Sequence, residues 1–142
     1  MQISNTIRRG LGLALFLAVV GTSTAFAQST YADKDTQWWS GLETQLTEST
    51  TSDVAQVRQE AMQHIIFFAE NYADKADFSD AAYEIMARFE TSTNVEERLL
   101  ALAALNAIGD AVALDRLARI AGAEQSPRVR AVAAKVLQNH AS

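Results

Sequence analysis

The chain contains no cysteine. Disulfides, thiolate zinc sites, iron–sulfur sites, a cysteine nucleophile and lipid attachment to a cysteine are therefore excluded. A single proline, Pro127, and 6 glycines leave few enforced breaks. There is no Asn-Gly or Asp-Gly pair and no alternation of apolar with polar residues, so strand and hairpin signals are missing. Positive charge is the scarcer sign. The 12 Lys and Arg residues stand against 17 Asp and Glu, a net charge of −5, which argues against general nucleic-acid binding. What is present is an apolar fraction of 49%, rich in Ala, Leu, Ile and Val. That is enough to bury a core and too much for a disordered chain, and the 142-residue length suits one domain.

The first 27 residues read as a secretory signal peptide. Arg8 and Arg9 form a positive start, and Leu11 to Val20 is apolar apart from Gly12. Small residues follow and end in Ala25-Phe26-Ala27, an A-x-A pattern that predicts cleavage after Ala27. A retained anchor is the rival reading, but a spanning helix wants about 20 apolar residues and Gly21-Thr22-Ser23-Thr24 dilutes the run. Ile7 before the arginine pair and Gly10-Leu11 after it match the twin-arginine export signal poorly, so the ordinary secretory route is expected. The short signal resembles a bacterial one, and the predicted location is the periplasm or outside the cell. The mature chain, residues 28–142, then carries a net charge of −7. Residues 28–90 hold −8 of it, and residues 91–142 are +1.

Helical spacing recurs through the mature chain. Residues 34–47 form a first helix with Trp38 or Trp39, Leu42 and Leu46 on one face, followed by a Thr/Ser-rich loop over 48–52. Asp53, with Gln56 three residues on, reads as the capping box of a long helix with Val54, Val57, Ala61, Ile65, Phe68 and Tyr72 on one stripe. A helix over 78–89 carries Phe78, Ala82, Ile85 and Phe89. Asn94 with Glu97 caps the next, which Gly109 ends. Asp110 starts a helix that Gly122 ends, and Ser126-Pro127 opens the last one.

Three helices align on an arginine. Val57-Arg58 with Ala61, His64 and Ile65 matches Glu97-Arg98 with Ala101, Ala104 and Leu105, and both match Val129-Arg130 with Ala133, Val136 and Leu137. Ala at arginine+3 lets helices approach, and the large residue at arginine+7 fills the gap. Each arginine is expected to cap carbonyls or to pair with an acidic group. On these residues, best over 94–137, the chain resembles the HEAT-repeat proteins, in particular the short HEAT-like repeat also found in phycobilin lyases. The resemblance implies an all-α fold: a short right-handed α-solenoid of antiparallel helix pairs. About two and a half repeats occupy 53–142, with residues 28–52 as an N-terminal capping helix and loop. It also implies Asp110 as the partner of Arg98 or Arg130. Arg58, Ala61, Arg98, Ala101, Asp110, Arg130 and Ala133 are the repeat's structural positions.

No constellation of catalytic residues stands out. There is no GxSxG elbow, GxGxxG loop or HExxH motif. His64 is expected at a helix interface and His140 near a frayed terminus. Asp74, Asp77 and Asp80 lack the turn glycine and distal glutamate of a calcium loop, so helix capping by Asp77 or Asp80 is the simpler reading. No metal, cofactor or catalytic residue is predicted. Trp38 and Trp39 point about 100° apart on a helix, so one packs inward while the other is left partly exposed. Trp38, Trp39, Tyr83, Glu84 and Glu90 are the candidate interaction surface. The expected function is non-catalytic: a protein–protein interaction module in the periplasm, biased by its acidic half toward a basic partner, with no nucleic acid and no membrane insertion after cleavage. The alternative is a small-ligand binder or lyase-like enzyme, which needs a pocket with converging polar groups.

Overall fold

The computed structural model describes residues 31–141. The expected signal peptide and its cleavage site at Ala27 lie outside the described residues. The chain divides into two compact units, Met1–Asp35 and Thr36–Ser142. In the first, the described residues are 31–35, of which Tyr31 and Ala32 are helical, and the Lys34 N–H donates to the Tyr31 carbonyl at 3.1 Å.

The second unit contains α1 (Thr36–Thr50), α2 (Ala55–Asn71), α3 (Ser79–Thr91), α4 (Val95–Ile108), α5 (Ala111–Ile120), a 3-10 turn (Ala121–Ala123) and α6 (Pro127–Asn139). No strand occurs among the described residues, so the fold is all-helical. Short-range chemistry sets several of the helix ends. The Asn94 carboxamide accepts the Glu97 N–H at 3.0 Å, and Asp110 accepts the Ala113 N–H at 2.8 Å. Ser126 accepts the Val129 N–H at 3.4 Å, with Pro127 at the first helical position. Gly109 ends α4 at φ 69°, a left-handed conformation that a side chain resists.

Three local expectations need correction. The helix α1 runs to Thr50 instead of ending at Thr47. Its Ser and Thr hydroxyls are satisfied inside the helix, Ser49 by the Gln45 carbonyl at 2.8 Å and Thr50 by the Thr47 carbonyl at 2.6 Å, and both residues are buried there. Asp53 caps nothing. The first helical residue of α2 is Ala55, its N-cap is Val54, and the Ser52 hydroxyl accepts the Val54 N–H at 3.2 Å. Gly122 lies within the 3-10 turn that follows α5 and does not have a positive φ.

The helix α4 is apolar nearly all round, VEERLLALAALNAI, and such a helix belongs in the middle of a protein. It packs against α2, α3 and α6. The even helices contact one another in the order α2, α4, α6, and the odd helices in the order α1, α3, α5. Each odd helix also packs on the even helix that follows it, whereas α2 with α3 and α4 with α5 touch little. The sequence suggests the other pairing, 53–72 with 78–89 and 94–108 with 111–120. Residues 51–54 link the contacting helices α1 and α2, and 92–94 link α3 and α4, but the still shorter link 109–110 joins α4 to α5, which touch little, so link length does not decide the pairing. The left-handed Gly109 turns the chain sharply between α4 and α5. The helix expected as a cap, α1, packs on two neighbours, α2 and α3, whereas α3 packs on α1, α4 and α5.

The core runs through Leu42, Ile65, Phe68, Ile85, Phe89, Leu102, Leu105, Leu117 and Val129, all of them buried. Trp39 joins it at 3% exposure. Its ring meets Phe68 edge-on at 5.8 Å and Tyr72 tilted at 5.3 Å. Trp38 is half-buried, T-shaped against Trp39 at 5.0 Å. Trp39 accordingly leaves the list of candidate surface residues. We expect Trp39→Ala to lower unfolding free energy by about 3–5 kcal/mol in urea denaturation, with Trp38→Ala costing markedly less.

Candidate functional site

The polar features that stand out are the joints between successive even helices. Each aligned arginine first meets a backbone carbonyl. Arg58 Nη1 donates to the Ser52 carbonyl at 2.8 Å, Arg98 Nε to the Phe89 carbonyl at 3.0 Å, and Arg130 Nη1 to the Glu124 carbonyl at 2.9 Å. Two of them then reach a carboxylate further along the chain. Arg58 Nε donates to Glu97 Oε1 at 2.6 Å, from α2 to α4. Arg98 grips both Glu124 oxygens, Nη1 to Oε1 at 2.9 Å and Nη2 to Oε2, from α4 to the segment before α6. Its guanidinium also lies over the Phe89 ring at 4.6 Å. Asp110, expected as the partner of Arg98 or Arg130, caps α5 instead. It sits at a helix start whose free N–H groups it satisfies, and Glu124 takes its place.

Glu97 is 4% exposed. Burial alone pushes its carboxyl pKa up. Hydrogen bonds from Arg58 and from the Ser92 hydroxyl, with the charges of Arg58 and Arg88, outweigh burial and hold it below its ordinary value. Glu124 is held low by the Arg98 hydrogen bonds, against a smaller opposing effect of burial and with help from the Ser126 and Gln125 N–H groups. Both joints are thus ionised, hydrogen-bonded pairs. By contrast Arg128–Glu96 at 2.7 Å and Arg119–Asp115 at 2.8 Å lie on the surface.

The candidate surface residues separate. Tyr83 is 64% exposed on α3, and Glu84 beside it is half-exposed. Glu90 is engaged by both Nε and Nη2 of Arg116 on α5, so it ties α3 to α5 as well as facing solvent. Val112 on α5, 75% exposed, was not flagged by the sequence pattern; α3 and α5 pack together, so it belongs to the same helical layer as Tyr83.

The histidines behave differently from each other. His64 is buried, and burial pushes its pKa down against the opposing influence of Glu60. His140 is not frayed: its Nε2 lies 2.9 Å from the Asn106 carbonyl, and Asn139 donates to Asn106 Oδ1 at 3.0 Å. The ring covers Gly109, where a Cβ would meet His140 Cε1 at 3.1 Å. Asp77 precedes α3, accepting from the Ser79 N–H at 2.9 Å and hydroxyl at 2.6 Å. Among the described residues no group of three His, Cys, Asp or Glu could hold a metal ion. A groove of about 310 Å³ lies between the ends of α2 and α4, walled by Ala69, Ala76, Ala107 and Ile108. Its polar lining is Asp77 and Ser79, which are already bonded to each other.

No protein-family model, curated protein or solved structure matches this chain.

Arg58→Leu is expected to cost about 3 kcal/mol, because it strands the buried Glu97 carboxylate, and Arg128→Ala under about 1 kcal/mol in the same denaturation assay. Acid should act in two stages. His64 has a lowered folded pKa, so the unfolded chain takes up its proton first; the stability it confers is complete above 6.5 and is lost as pH falls from there toward the folded value. Glu97 and Glu124 lie below their ordinary 4.5, so their contribution is lost as pH falls from 4.5 through their folded values. Urea midpoints measured from about pH 8 to about pH 3 should show both limbs, and His64→Leu should remove only the first.

Proposed function

We propose that this chain is a non-catalytic, exported helical-repeat module of the HEAT type that binds another protein. The observation that carries the reading is the recurrence of one joint. An arginine at the same register of α2 and of α4 is anchored to an upstream carbonyl and paired to a downstream glutamate, at Arg58–Glu97 and Arg98–Glu124. Repetition of a joint is what a stack of like units needs, and stacked units offer an extended face as their binding surface. The groups that carry charge inside the molecule are used by these joints. The groups left for a partner are Tyr83 with Glu84, in the half of the chain (28–90) whose net charge is −8, and Val112 on the same odd-helix layer. An exposed aromatic beside carboxylates suits a partner with a basic, partly apolar surface.

The test is capture from a native bacterial envelope extract on the C-terminally tagged protein, read by mass spectrometry. A specific partner should be retained by the wild type and weakened about tenfold or more by Tyr83→Ala with Glu84→Lys, at an unchanged melting temperature. A partner indifferent to both changes, or a folded protein that retains none, would sink the reading.

A further inference from the structure

The third arginine stands at the end of the series. Arg130 is exposed, and its Nη1 is held by the carbonyl six residues earlier at 2.9 Å, as Arg58 Nη1 is held by the carbonyl six residues earlier at 2.8 Å. Arg58 then spends its Nε on Glu97. Among the described residues no carboxylate pairs with Arg130. Its guanidinium is thus held in place by one carbonyl with no carboxylate of the described residues opposite it. The apolar side of the joint is also present in reduced form. The residues four and seven after each arginine are Met62 and Ile65, then Leu102 and Leu105, all buried; on α6 they are Ala134, exposed, and Leu137, half-buried.

The complementary group lies at the opposite end of the helix order. Asp53 is exposed in the connection before α2, as Glu124 lies in the connection before α6. It makes no hydrogen bond or ion pair within the described residues. The molecule is also polarised, with −8 over residues 28–90 and +1 over 91–142.

We propose that the protein associates head to tail with a second copy, Arg130 of one molecule pairing with Asp53 of the next as Arg98 pairs with Glu124 within one chain. The two surfaces are different patches of the same molecule, so the contact is heterologous and extends beyond the dimer, into open chains or closed rings. The small apolar patch at Ala134 and Leu137 makes the association weak and sensitive to salt. The proposal goes beyond the binding of a foreign protein at Tyr83, and either can fail without the other.

The experiment is sedimentation velocity on the protein purified after expression of the full chain, from about 10 µM to about 1 mM. The weight-average sedimentation coefficient should climb with concentration, without a plateau at the dimer, and fall at high salt. Arg130→Ala and Asp53→Ala should each weaken association about tenfold, with melting temperatures unchanged because both side chains are exposed. Mixed in equal amounts, the two variants retain one intact contact between them and should stop at the dimer. A wild type that stays monomeric throughout, or association that neither substitution alters, would overturn the proposal.

Discussion

A guanidinium taken out of water needs oxygen partners, and those taken by Arg58 and Arg98 fix how α4 faces its neighbours. Glu97 and Arg98 are consecutive residues on that helix, so their side chains leave it about 100° apart. The first receives Arg58 of α2, and the second reaches Glu124 ahead of α6. One helix turn thus faces both of its like neighbours with opposite charges. Turning α4 about its axis would break both pairs at once and leave a carboxylate and a guanidinium desolvated. The penalty for that is several kcal/mol per ion, which makes the rotational setting of the central helix steep.

The charge pairs orient the helices and apolar burial supplies the energy that holds them. Ala61, Ala101 and Ala133 are all buried, and a methyl group at these positions lets neighbouring backbones approach. The larger residues one and four positions later fill what remains: Met62 and Ile65 on α2, Leu102 and Leu105 on α4. A buried ion pair is weak evidence for stability by comparison with an apolar replacement, since its Coulomb gain mostly offsets desolvation. Its value here lies in register. The apolar face of α4 extends around the helix and would tolerate several rotations, whereas the Glu97 and Arg98 pairs accept one.

Local rules proved readable in the sequence where a single residue decides the outcome. Asn94, Asp110 and Ser126 each accept the N–H of the residue three positions on, and Gly109 takes the left-handed turn. The register of the three arginines and of their alanines was also legible, because periodicity is a one-dimensional property. The partners of those arginines were not. Glu97 and Glu124 lie 39 and 26 residues beyond Arg58 and Arg98, and nothing local distinguishes them from Asp110. The choice is made by which helix packs on which, and the pairing frame read from sequence was displaced by one helix. Asp53 misled for a related reason. Its spacing to Gln56 satisfies the capping-box pattern, yet Ser52 supplies the nearby acceptor and the helix begins after Val54. Of the two tryptophans, alternation on a helix showed that one must turn inward; the rings of Phe68 and Tyr72 determine that it is Trp39.

The ending of the series follows from the same comparison. What distinguishes α6 from α2 and α4 is not the arginine, which keeps its register and its carbonyl anchor, but the residue four positions later. Methionine and leucine at that place are buried by a following helix, and Ala134 is exposed. Replacing a leucine-sized side chain by alanine removes roughly 2 kcal/mol or more of apolar driving force from any further joint. The α6 face keeps the anchored arginine of the other two helices and carries less apolar bulk beside it than α2 and α4 do.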